Sequence, residues 1–239
     1  MKPHLLTFPD TDGVDYSRVR YHYLLQIIFG ETIAIDYCRT MSTFAPNEEA
    51  RAFLLKQQKE EDTHLEMLTE YVGLHPRPLV TVSFWLKRLD AVMSAAILEK
   101  KYVDCIFIQN FIVEGLNISL LRELEHHSDG VLSELCSKIL HDEIGHMEFG
   151  VTELRSILKE DQSLKTRKRL LWLQRKVLLY ATGLAITLAR EAKHLGIPIY
   201  EFGEKTVSEH ARRIEAAGFP MPFFDRILFK SVLTIFKVI

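Results

Sequence analysis

The stretch His141-Asp142-Glu143-Ile144-Gly145-His146-Met147-Glu148-Phe149-Gly150 decides the reading of this chain. Glu143 and His146 are three residues apart, so on an α-helix they project from one face about one turn apart and can hold a single metal ion. The same spacing occurs earlier, in Glu61-Asp62-Thr63-His64. Each pair follows a lone carboxylate set in an apolar stretch: Glu31 in Ile27-Ile28-Phe29-Gly30-Glu31-Thr32-Ile33-Ala34-Ile35, and Glu114 at the end of Ile106-Phe107-Ile108-Gln109-Asn110-Phe111-Ile112-Val113. One Glu-x-x-His is a weak signal, because Glu and His fall three apart on many solvated helices. Two at matched distances form a repeat. Glu61 follows Glu31 by 30 residues and Glu143 follows Glu114 by 29; the second copy is displaced by 83 residues at the lone Glu and by 82 at the motif.

The distances have a geometric meaning. In an antiparallel helix pair, two residues sit level only when the turn lies midway between them. The midpoint of 31 and 61 is Pro46, followed by Asn47 as an N-cap; that of 114 and 143 falls at Ser128-Asp129-Gly130, a strong turn signal. Each arm is then about 15 residues, or roughly 22 Å of helix. Both lone glutamates come level with their partner motifs, well inside a bundle.

Periodicity turns the same residues toward a core. Glu31 shares a stripe with Leu24, Ile27, Ile28, Ile35 and Cys38, and Glu114 shares one with Phe107, Phe111, Ile118 and Leu121. Glu143 follows Cys136, Ile139 and Leu140, and Glu61 lies between Leu54 and Leu65. Four converging buried carboxylates need cations to neutralise them. Two divalent ions balance the charge of Glu31, Glu61, Glu114 and Glu143, with His64 and His146 as nitrogen ligands.

Length and composition set the frame. A chain of 239 residues, 47% hydrophobic, can bury one sizeable core. Its net charge of -2 gives no electrostatic case for nucleic acid. Cys38, Cys105 and Cys136 are isolated in apolar helical stretches and read as reduced core thiols. The N-terminal residues hold no apolar stretch of signal-peptide length, and the longest apolar run, 177 to 189, is too short to span a bilayer, so a cytoplasmic protein is expected.

Taken in order, the sequence predicts helices over about 15–44, 47–72, 83–100, 101–127 and 128–159, the third a crossover without ligand candidates. A Ser163-capped helix to Leu195 follows, basic in its first half at Lys165, Arg167, Lys168, Arg169, Arg175 and Lys176. A short helix near 207–217 and an amphipathic segment over 223–239 close the chain. No strand is expected. The division is a di-metal bundle over 14–160 and a C-terminal helical extension over 161–239.

These residues resemble the ferritin-like di-metal carboxylate superfamily, whose four-helix core presents a Glu from each of two helices and a Glu-x-x-His from each of the other two. The resemblance covers roughly residues 20–160 and includes Glu31, Glu61, His64, Glu114, Glu143 and His146 as ligands. Within the superfamily, the stretch from Cys105 to Glu114 and on to His146 looks most like the aldehyde-deformylating oxygenases, which use diiron, oxygen and an external reductant on fatty aldehydes. Other branches fit less well: Leu68 stands where ribonucleotide reductase small subunits keep a radical tyrosine, the paired Cys-x-x-Cys of rubrerythrins is absent, and ferritins usually end soon after the bundle.

The resemblance implies an oxygen-dependent nonheme diiron oxidoreductase acting on a small or fatty-acyl substrate, with a manganese/iron pair as the alternative to two irons. Carboxylates are hard ligands that suit ferric iron and move between chelating and bridging modes. Glu61 and Glu143 are expected to bridge, and Glu31 and Glu114 to be terminal. Metal-bound histidines usually donate their other ring N–H to a carboxylate; Asp142 is the better candidate for that role and Glu60, its counterpart, the weaker. Ile35, Leu65, Phe107, Phe111 and Ile118 line a substrate pocket or are simply core. Gly30, Gly115 and Gly145, beside the ligands, either permit close helix contact or open space. His141, Glu148, His126 and His127 read as surface residues.

Oxygen and an organic substrate are the expected small partners, with a separate ferredoxin or reductase as electron donor. Docking of an acyl carrier protein on the basic helix, peripheral membrane contact by the C-terminal segment, and a homodimer are left open. Two rivals come from other classes: a ferroxidase that stores iron in a multimeric cage, and a metal-stabilised interaction module without catalysis.

Overall fold

Two antiparallel helical hairpins carry the architecture in a computed structural model that describes residues 16–73, 80–128, 130–219 and 233–234. The first pairs α1 (Tyr16–Ser42) with α2 (Glu48–Gly73). Their turn holds Pro46, and Asn47 caps α2, its Oδ1 accepting from the Ala50 N–H at 2.8 Å. After a connection, α3 (Phe84–Leu98) crosses over, with the Ser83 hydroxyl accepting from the Trp85 N–H as its N-cap. The second hairpin starts with α4 (Tyr102–Ile106), continues through a π-helical segment (Phe107–Val113) into α5 (Glu114–His127), and returns as α6 (Gly130–Glu160). Then come α7 (Leu164–His194), capped by the Ser163 side chain, and α8 (Ile199–Ala216). Every regular element among the described residues is helical, so the chain is all-α.

Two expectations are corrected. The helix foreseen over 101–127 is not α-helical throughout: seven residues take the wider π turn, in which the backbone N–H of Glu114 reaches the carbonyl of Gln109, five residues back. Gly150 of α6 makes room for it. A Cβ at that position would lie 2.7 Å from the Asn110 carbonyl carbon, so only a glycine admits the bulged backbone there. The last described helix is also longer than the expected 207–217. It starts after Pro198 and runs through Gly203, a buried residue tolerated mid-helix at a cost of about 1 kcal/mol. The amphipathic segment foreseen over 223–239 lies outside the described residues, apart from Leu233 and Thr234.

Apolar packing falls into two clusters. One gathers Tyr37, Cys38 and Met41 of α1, Leu54 of α2, the α4–π stretch, Leu154 and Leu158 of α6 and much of α7. The other gathers Tyr23, Leu24 and Ile27 of α1, Leu68, Tyr71 and Val72 of α2, Leu121 and Leu124 of α5, and Leu132, Cys136 and Ile139 of α6. The numbers missing between these sets are those of the polar layer: 31 on α1, 57–64 on α2, 114–117 on α5 and 143–146 on α6. The bundle is thus two apolar cores with one buried polar layer between them. One helical path, Tyr102–His127, is long and apolar enough to cross a membrane by composition, and most of it is buried inside the bundle.

Candidate metal centre

All six residues singled out by the repeat meet in that layer, and all are buried. They form two groups in which one ligand atom per residue lies within 4.8 Å of the others: Glu31, Glu61, His64 and Glu143, and Glu61, Glu114, Glu143 and His146. Glu61 and Glu143 belong to both groups. Each histidine turns Nδ1 to the carboxylates: His64 Nδ1 is 3.5 Å from both Glu31 Oε2 and Glu61 Oε2, and His146 Nδ1 is 3.3 Å from Glu143 Oε2 and 3.4 Å from Glu61 Oε1. The two rings stand 6.2 Å apart.

The opposite ring nitrogens are held across the bundle. His64 Nε2 lies 3.2 Å from Asp142 Oδ2, and His146 Nε2 lies 3.1 Å from Glu60 Oε2. The acid before each motif therefore serves the histidine of the other motif, and Glu60 makes the same contact as Asp142. A carboxylate at Nε2 fixes the proton there and leaves the Nδ1 lone pair facing inward.

Four amide side chains that the sequence reading passed over complete the layer. Gln57 Nε2 donates to Glu61 Oε1 at 3.0 Å and to Glu114 Oε1 at 2.9 Å. Gln109 Nε2 donates to the same Glu114 oxygen at 2.9 Å, Asn110 Nδ2 to Gln57 Oε1 at 2.7 Å, and Asn117 Nδ2 to Glu143 Oε1 at 3.0 Å. The two sides of the layer are unequal as a result. Glu114 has two donors, whereas Glu31 Oε2 and His64 Nδ1 are buried without a hydrogen-bond partner among the described residues.

Electrostatics point the same way. Burial, together with repulsion from neighbouring carboxylates, lifts Glu31, Glu114 and Glu143 well above the usual carboxylate range. Burial also opposes the charged forms of His64 and Glu61. The carboxylates of Glu31 and Glu61 beside its ring nonetheless push His64 up to about 11, and the neighbouring His64, Glu31 and His146 hold Glu61 down at about 2. The layer therefore favours positive charge within it. Its donor set, four carboxylates and two inward imidazole nitrogens with two orphaned atoms, fits a pair of metal ions.

The other expected residues fall as follows. Phe107 and Phe111 are fully buried, their rings 5.4 Å apart in the first apolar cluster. Ile35 is buried, Leu65 half-buried, and Ile118 buried along a groove described below. Of the three flanking glycines, only Gly115 makes a close contact, with Arg213; a Cβ at Gly30 or Gly145 would meet nothing within 4 Å. His141 and Glu148 are exposed.

The fold is that of a ferritin-like bundle. A solved Synechococcus protein described as having aldehyde deformylating oxidase activity superposes with a TM-score of 0.72 over 92% of this chain and 99% of its own, at 16% identity. No protein-family model and no curated protein matches the sequence.

Proposed function

We propose that the protein is an oxygen-dependent nonheme diiron oxidoreductase, an oxygenase or oxidase, that acts in the cytoplasm on a small or fatty-acyl organic substrate with an external electron donor. The observation that carries this reading is the pair of overlapping ligand groups, each with one histidine, joined by Glu61 and Glu143. A cluster that shares two carboxylates is built for two ions at once. The activity of the Synechococcus structure supports the reaction class.

When bound, a pair of irons supplies the electrons for reductive activation of oxygen. Glu31, Glu61, His64 and Glu143 would hold one ion and Glu61, Glu114, Glu143 and His146 the other, so that Glu61 and Glu143 would serve both. Asp142 and Glu60 keep the Nε2 protons in place. Gln57 and Gln109 hold Glu114 in one orientation, whereas Glu31 Oε2 has no hydrogen-bond partner among the described residues. The electron donor would meet the basic face of α7, where Trp172 is 57% exposed and Lys176 Nζ lies 4.8 Å from its ring.

Iron bound per chain, after reconstitution with ferrous iron in air and desalting, tests the site. About two irons per chain are expected. A count far above two would replace this reading with mineral storage, and none, with manganese also absent, would end it. Oxygen consumption with a chemical reductant and a fatty aldehyde or acid then tests the reaction class; a loaded protein that consumes no oxygen would be an interaction module.

A further inference from the structure

The buried guanidinium of Arg213, near the C-terminal end of α8, has no role in the site described above. Its side chain is 9% exposed, and Nε and Nη2 have no hydrogen-bond partner among the described residues. Those two atoms form the edge that forks a carboxylate with two parallel hydrogen bonds. The same edge lies over α5: a Cβ at Gly115 would sit 2.4 Å from Nη2 and 3.0 Å from Nε. Gly115 directly follows Glu114, so the unpartnered fork rests against the backbone beside a metal-ligand position.

Arg213 lines a groove of about 330 Å³ between α5, α6 and α8. Its other lining residues have two characters. Arg122, Arg212 and Glu209 are charged; Glu209 is already engaged by Arg122 Nη1 at 3.0 and 3.1 Å, so three guanidiniums face one carboxylate and the groove carries excess positive charge. Ile118, Met147 and Ala216 are apolar. Ile118 lies one helical turn beyond Glu114 and Met147 is next to His146, so the apolar part of the groove borders the polar layer from two helices.

We infer that this groove binds the carboxylate of an amphipathic organic acid through Arg213, with the apolar body against Ile118 and Met147. This inference rests on the oxidoreductase reading only in making that acid the substrate rather than a neutral aldehyde. Desolvation, together with Arg122 and Arg212 against the opposing effect of Glu209, brings Arg213 down to about 10, which leaves it charged at neutral pH and in want of an anion. An exposed phosphate site would need neither the buried fork nor the apolar wall.

The test is calorimetric titration of the full-length, iron-loaded protein with octanoate, octanol and inorganic phosphate, in the absence of reductant. One octanoate per chain is expected, bound about tenfold or more tightly than octanol or phosphate. Arg213→Met should abolish that preference without lowering the melting temperature, because it removes a buried charge lacking a partner. Arg213→Lys, which keeps the charge but not the fork, should weaken octanoate binding and serves as the readout if the Met variant does not fold. Equal binding of octanoate and octanol, equal binding of phosphate, or octanoate affinity unchanged in the variants would overturn the inference. Because no turnover is needed, a protein that prefers octanoate yet consumes no oxygen keeps the groove and loses the oxidoreductase reading. One that consumes oxygen but does not prefer octanoate does the reverse.

Discussion

Gln26 and Gln109 occupy the same place in the two hairpins, each five residues before the lone glutamate, and they do different work. In the regular helix α1, five residues carry a side chain well past one turn and away from Glu31. Gln26 instead faces the start of α3, where its Oε1 accepts from the Ser83 N–H at 2.8 Å and its Nε2 donates to the His22 carbonyl at 3.0 Å. In the second hairpin the π turn makes five residues one full turn, and Gln109 reaches Glu114. One local change in helix pitch converts a structural amide into one that holds a candidate ligand. The lesson is that a sequence repeat fixes which residues correspond, and backbone pitch decides what they touch.

The largest effect should come from the ligand itself. Glu114→Ala is expected to remove at least one metal ion per chain, read by elemental analysis after reconstitution; unchanged metal content would remove Glu114 from the ligand set. Next is the pair Gln109→Leu and Gln26→Leu, equal changes at matched positions. The first deletes a hydrogen bond to a carboxylate, worth about 1.5–3 kcal/mol, and should weaken metal retention against a chelator about tenfold or more. The second strands the buried Ser83 N–H and should cost about 1–3 kcal/mol in denaturant unfolding with metal content intact. If both variants behaved alike, the contrast drawn from the π turn would fail.

Gly150→Ala and Gly30→Ala sharpen it further. The first forces a methyl onto the Asn110 backbone and should destabilise by about 1–3 kcal/mol, whereas the second enters open space and should be neutral or stabilise by up to about 1 kcal/mol. Thermal melts of the two decide it. An effect confined to acid is expected from His210, whose ring meets Phe111 of the π segment edge-on at 5.8 Å. Burial, with Arg213 adding to it, lowers His210 to about 3. The unfolded chain therefore binds this proton below pH 6.5 and the folded one does not. Stability is complete above pH 6.5 and declines as pH falls toward 3, by at most about 1.4 kcal/mol per pH unit. His210→Leu should flatten that part of the stability profile; an unchanged slope would mean other groups set it.

The six converging residues were legible because their signal is one of spacing: two lone glutamates, two Glu-x-x-His pairs, and turns at Pro46 and 128–130 that bring them level. The helical hairpins were legible for the same reason. Gln57, Gln109, Asn110 and Asn117 were not, because a buried amide carries no periodic signature and a π turn leaves no mark in the hydrophobic pattern. The crossed pairing of Asp142 with His64 and Glu60 with His146 depends on how α2 and α6 face each other, a tertiary fact that neither motif contains. Phe107 and Phe111 share the stripe of Glu114 by count, yet both lie within the π turn that leads to it, and they pack on each other in the first apolar cluster.

The polar layer sits between two apolar clusters that each bind α1, α2, α6 and the α4–π–α5 strand of the second hairpin. The spacing of the six candidate ligands is therefore set from both ends by side chains outside the polar layer. The bundle works as a calliper whose opening is ground by Leu54, Leu68, Leu121 and Leu154. Shaving or thickening a leucine a turn or two away would change the width of the jaws, and with it the size of cation that the six residues could hold.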